Sequence, residues 1–202
     1  MYLHKEDREL LHDIIIAVSE KSGLEENIVE KDYYVTLILK ELAKRNPSIV
    51  FKGGTSLSKA YHVIDRFSED EEYGLEPFVM RTQSLVRTFI DKLFAVCDYY
   101  INGKSARNSR HLYDIYKLYP HIKMDEEFKL LVDDVREHRA TMDQKIAPLA
   151  KHNVDIIQNV KQIVDTGFYE KDYENSTMKL ISDNIAYKEV MECYTKIMYE
   201  LF

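Results

Sequence analysis

Cysteine is nearly absent. The 202-residue chain has two, Cys97 and Cys193, each inside a helical pattern and neither at metal-ligand spacing. That excludes a disulfide framework or a cysteine-built zinc site, and predicts a reduced, cytoplasmic protein with buried thiols. Long apolar runs are missing too. The longest, Ile14-Ile15-Ile16-Ala17-Val18, is far too short for a bilayer, so no membrane association is expected. Lys5, Glu6, Asp7 and Arg8 put mixed charge where a signal peptide needs an apolar stretch. There is no excess of positive charge: the net charge of −7 gives the whole molecule no pull toward nucleic acid. Contact with nucleic acid would need a local patch. Lys104, Arg107 and Arg110 crowd one short stretch, with Arg81 and Arg87 upstream, but by charge alone they read as solvated surface. No internal repeat or low-complexity tail is visible.

What is present suits a globular chain with a real core: 45% of residues are hydrophobic and 31% charged. Apolar spacing predicts helices over about 6–21, ending at Gly23, and over about 25–44, ending at Asn46-Pro47-Ser48. Ile49-Val50-Phe51 reads as a short buried strand, followed by Gly53-Gly54 and a helix from Thr55 to about Val63 capped by Thr55 or Ser56. Residues 64–70 read as a return strand and Phe78-Val79-Met80 as another short strand. From Ser84 onward the pattern is helical, over about 84–102, 109–118, 125–142, 153–166 and 186–201, while 167–185 has no clear period beyond a break at Gly167. The fold class expected is α+β, with a very small sheet in the N-terminal third.

The segment Phe51-Lys52-Gly53-Gly54-Thr55-Ser56-Leu57-Ser58-Lys59 has a mechanical meaning. Paired glycines after a strand let the backbone approach a ligand closely, and a helix opening behind them favours a phosphate. The Lys-Ser/Thr ending of a Walker loop is missing, and a bare Gly-Gly turn is also common as plain structure. Downstream, Ser68, Glu69, Asp70, Glu71 and Glu72 form an acidic stretch. It reads either as a metal-holding strand end or as a solvated turn.

Taken in order, these segments resemble a known family. Val29-Glu30-Lys31-Asp32-Tyr33-Tyr34, Phe51 to Tyr61, Arg66-Phe67-Ser68-Glu69-Asp70, Arg87 to Ala95 and Arg107 to Ile115 are similar to the AbiEii/AbiGii toxin nucleotidyltransferases. The resemblance implies a polymerase-β-like nucleotidyltransferase core over 1–83 and a helical C-terminal part over 84–202. It also implies a Mg²⁺-dependent toxin of a toxin–antitoxin, phage-defence system that moves a nucleotide from an NTP to an acceptor such as tRNA, beside a cognate antitoxin. Carried over by position, Lys52, Gly53, Gly54, Thr55 and Ser56 would cradle the triphosphate. Ser68 and Asp70 would lie in the acidic motif, with Asp70 and Glu72 on the metal. Lys92 would contact phosphate, and Asp114, near Arg110, would be the carboxylate of the later helix.

The resemblance departs after Asp70. The family continues Ser-x-Asp-x-Asp into further strands, whereas here Glu71 to Phe78 reads as the lead-in to the later helical block. An internal segment is missing, and Glu72, one methylene longer than Asp, falls where the second aspartate belongs. A sheet so reduced must have its edge covered by helices or by another copy of the chain. Two functions therefore stand side by side: an active nucleotidyltransferase, or a shortened, catalytically silent relative that binds nucleotide or a partner. His111 reads as a packed or surface residue rather than a base, and the fifteen tyrosines as core and interface rather than as stacking platforms. Lys92, outside the family register, would read as a surface lysine.

Overall fold

Asp7 interrupts the first predicted helix. It divides α1 (Leu3–Glu6) from α2 (Arg8–Ser22) by leaving helical geometry (φ −152°, ψ 89°), and its carboxylate accepts the Leu10 amide at 2.9 Å as an N-cap. Gly23 ends α2 in the left-handed region, φ +72°. In the computed structural model, residues 2–61, 63, 73, 78–151, 153–181 and 183–202 are described. Packing divides the chain into two units, residues 1–83 with 180–182, and residues 84–179 with 183–202. The architecture is α+β and mostly helical.

In the N-terminal unit, α2 and α3 (Glu26–Arg45) pack through residues at helical spacing. Leu11, Ile15 and Val18 meet Val29, Tyr33 and Leu37, with Leu3 and Tyr73 completing the cluster. Each such side chain contributes on the order of 1.5–3 kcal/mol by leaving water. The two buried phenols are satisfied: Tyr33 accepts the His4 amide at 3.2 Å, and Tyr73 donates to the Val29 carbonyl at 3.1 Å.

The sheet has two short parallel strands, β1 (Val50–Phe51) and β2 (Arg81–Thr82), in the register Val50↔Arg81 and Phe51↔Thr82. Phe78-Val79-Met80 thus precedes the strand it was expected to form. Pairing is set by what β1 reaches, and the ladder continues into Gln83, whose amide donates to Phe51 at 2.9 Å. Between the strands, α4 spans Gly54–Lys59, shorter than predicted. Its N-cap is Gly53, not Thr55 or Ser56, and no side chain caps it. The return strand expected over 64–70 lies outside the described residues.

The C-terminal unit is built round α5 (Leu85–Ile101), whose Ser84 N-cap accepts the Arg87 amide at 3.3 Å. On α5 pack α6 (Arg110–Leu118), α7 (Glu126–Ala140) and α8 (Ile156–Thr166). After Gly167, which is left-handed as its position past a helix suggests, come a short turn α9 (Glu170–Asp172), a π-helical turn over Tyr173–Thr177, and α10 (Tyr187–Leu201). That π-turn occupies the stretch whose sequence shows no period.

Helix α5 is buried nearly all round, so its surroundings must meet its polar groups. Tyr169 donates to the Val96 carbonyl at 2.6 Å and Tyr194 to the Leu93 carbonyl at 3.1 Å. Asp98 is bound by the Arg139 guanidinium and by the Leu149 amide at 2.9 Å, while burial pushes its carboxyl above the usual range. Both cysteines keep their thiol protons: burial pushes Cys97 up to about 12, and the half-buried Cys193 up to about 11.

Candidate functional site

The residues singled out in sequence fall into two groups, one in each unit. In the N-terminal unit, β1 leads through exposed Lys52 into Gly53, whose backbone sits at φ +95°, ψ −170°. Only glycine adopts that conformation without strain. A Cβ on Gly53 would meet open space, so backbone strain and not crowding is what demands glycine there. Thr55 is exposed just beyond. Ser56 is buried and turned inward, its hydroxyl donating to the Gly53 carbonyl at 2.8 Å, and Ser58 donates to the Thr55 carbonyl at 3.2 Å.

Beneath the turn lies a contact that sequence reasoning missed. The Lys59 ammonium donates to Asp32 at 2.9 Å and to the Thr36 hydroxyl at 2.7 Å, with the lysine side chain only 5% exposed. Asp32 and Lys59 belong to two separate motifs of the sequence resemblance. Their pairing fastens α4, and so the glycine turn, to α3. Twenty-seven residues separate them, and no local pattern couples them.

In the C-terminal unit, α5 and α6 bring Lys92 and Asp114 together. The ammonium and a carboxylate oxygen are 2.5 Å apart, with side chains 5% and 1% exposed. Lys92 is therefore no surface lysine: it sits on the buried wall of α5 among Phe89, Ile90, Leu93 and Phe94. Arg110 opens α6 one turn before Asp114 and is exposed. A cation at a helix N-terminus works against the helix dipole. His111 stacks on Tyr99, centroids 5.5 Å apart, and so is packed, as its sequence reading has it.

Two further carboxylates grip α6. Asp172 accepts the amides of Arg107 (2.8 Å) and Ser109 (3.1 Å) and the Ser109 hydroxyl (2.6 Å). Asp183 accepts the Tyr113 hydroxyl at 2.7 Å and Lys117 at 2.9 Å. For both, burial alone would raise the carboxyl. The hydrogen bonds outweigh it and hold each below the usual carboxylate range, those from Ser109 and Arg107 at Asp172, those from Lys117 and Tyr113 at Asp183.

Ser68, Asp70 and Glu72 lie outside the described residues. Among the described residues, no three His, Cys, Asp or Glu side chains gather as a metal site would require. Also among them, no helix is long and apolar enough to cross a membrane.

A family model described as "Nucleotidyl transferase AbiEii toxin, Type IV TA system" matches residues 37–70 and 71–193. The match breaks between Asp70 and Glu71, where the acidic motif is cut short. No curated protein and no solved structure matches the chain.

Proposed function

The chain belongs to the AbiEii nucleotidyl transferase toxin family of type IV toxin–antitoxin systems, and from that premise we propose that it transfers a nucleotide from an NTP to an acceptor such as tRNA in the cytoplasm, under the control of a cognate antitoxin. The observation that carries the reading is the buried Lys92–Asp114 pair, seated on neighbouring helices inside the segment matched to the family. The glycine turn belongs to the part read as a polymerase-β-like core, residues 1–83, and the Lys92–Asp114 pair to the helical part from 84 onward.

In this reading the backbone around Gly53 and Gly54 accommodates the triphosphate, and Lys52 and Thr55, both exposed, offer an ammonium and a hydroxyl to it. Ser56 contributes through the turn it braces. The acceptor hydroxyl attacks the α-phosphorus, the bond to the bridging oxygen breaks, and pyrophosphate leaves while the hydroxyl proton passes to a carboxylate or to water. By their place in the family, Lys92 and Arg110 would offset negative charge that grows on phosphate oxygens, and Asp114 holds the Lys92 ammonium in one position. Asp70 and Glu72, with Ser68 near them in sequence, would hold Mg²⁺, which would neutralise charge at the phosphates when bound. Asp114 is already bonded to Lys92, which suits a positioning carboxylate better than a metal ligand.

The interrupted family match favours a second reading, a silent relative that binds nucleotide without turning it over. One assay separates the two: α-labelled NTPs, Mg²⁺ and bulk tRNA with the intact chain. Label on tRNA, lost in Lys92→Met and reduced by roughly tenfold or more in Lys52→Ala, is the expected result. NTP binding by calorimetry with no label transferred to any acceptor would establish the silent reading instead.

A further inference from the structure

Helix α6 carries Arg110 and Asp114 on nine residues, too short to hold itself in place. Its entry is also unusual. Arg107 is left-handed at φ +62°, the one non-glycine residue with positive φ among those described, and Ser109 gives α6 no side-chain cap. Such a backbone persists only where its surroundings hold it. What holds it comes from residues 172–183.

Asp172 takes three hydrogen bonds from the entry, two from backbone amides and one from the Ser109 hydroxyl. Thr177 meets the same hydroxyl at 2.7 Å. In a regular α-helix, residues 172 and 177 would point about 140° apart. The π-turn over Tyr173–Thr177, whose bonds run from i to i+5, brings both to one side. Asp183 then takes the middle of α6 by bridging Tyr113 and Lys117, which flank Asp114. We propose that Asp172 and Asp183 are positioning residues that clamp α6, so that Asp114 stays on Lys92 and Arg110 is held at the start of the helix. The inference rests on the transfer function proposed above and adds the device that aligns its groups. Neither aspartate lies in a motif of the sequence resemblance, and Asp172 sits in the stretch without clear periodicity.

Asp172→Asn and Asp183→Asn test the clamp, with Asp183→Glu as the conservative control. In each, hydrogen exchange of the α6 amides is compared with that of the α7 and α8 amides, and transfer is measured as kcat and KM. Expected are exchange faster by about tenfold, confined to residues 107–118, and kcat lower by about ten- to a hundredfold with KM for NTP within about twofold. Asp183→Glu should regain part of kcat. Unchanged α6 exchange, or exchange that quickens equally in α7 and α8 with kcat falling only as the folded fraction falls, overturns the proposal. A wild-type chain that transfers nothing defeats the functional reading instead, and the exchange pattern alone then decides the clamp.

Discussion

Among the described residues, each unit contains one buried lysine–aspartate pair, and the two differ in depth. Lys59–Asp32 keeps some access to water through Asp32, which is 12% exposed, and has the Thr36 hydroxyl as a third member. It ties a short helix to a long one, next to a glycine turn flanked by exposed Lys52 and Thr55. Lys92–Asp114 lies between two packed helices, one of them buried nearly all round, with Asp114 1% exposed. Burying a charge pair that deeply is a poor way to gain stability, since apolar residues of similar size often do as well. A bolt can be explained by what it joins. For the deeper pair stability is the weaker explanation, and the proposed transfer function gives it a role.

Removing one charge at a time separates the two pairs most clearly. Lys92→Met leaves Asp114 buried without its ammonium, and should cost about 3–5 kcal/mol in urea unfolding. Lys92→Met combined with Asp114→Leu should recover most of that stability while transfer stays lost. If the double variant is as unstable as the single one, the pair is structural and the contrast fails. Lys59→Met should cost less, about 1.5–3 kcal/mol, because Asp32 keeps some access to water. Its companion signature is weaker NTP binding, since α4 loosens beneath Gly53. Equal losses at Lys59 and Lys92 would erase the distinction between the two sites.

The smallest effect expected is with pH, and two carboxylates of the C-terminal unit contribute to it. Asp172 and Asp183 are held below the usual carboxylate range, so their contribution is present above the unfolded value of about 3.9 and is lost as pH falls through the lower folded values. The urea midpoint should therefore be steady between about pH 5 and 7 and decline below about 4. Asp172→Asn combined with Asp183→Asn should make that acid decline shallower. An identical decline would mean that other carboxylates govern it.

Much of the fold is legible in local pattern. Leu11, Ile15 and Val18 recur at helical spacing, Gly23 and Gly167 stand where helices end, and each long helix lies close to where its apolar period placed it. Misplacements occur where an outcome depends on a partner. The strand expected at 78–80 moved to Arg81–Thr82 because β1 decides which residues it can bond. The α4 cap moved from Thr55 or Ser56 to Gly53 because the Ser56 hydroxyl turned back onto a carbonyl. The interruption after Asp70 was legible, since a motif cut short shows in the residues themselves, and the family match divides there.

By itself the sequence determined the family, the helical periods and the glycine that a φ of +95° requires, because each follows from short stretches of chain or their order. Only the tertiary structure decided that Lys92 is buried against Asp114, that Lys59 bolts the glycine turn to Asp32, and that Asp172 and Asp183 grip α6. The physical reason is that a charged side chain's environment is set by whatever packs over it. For these residues the cover lies between 22 and 70 positions away in the chain, beyond the reach of any local pattern.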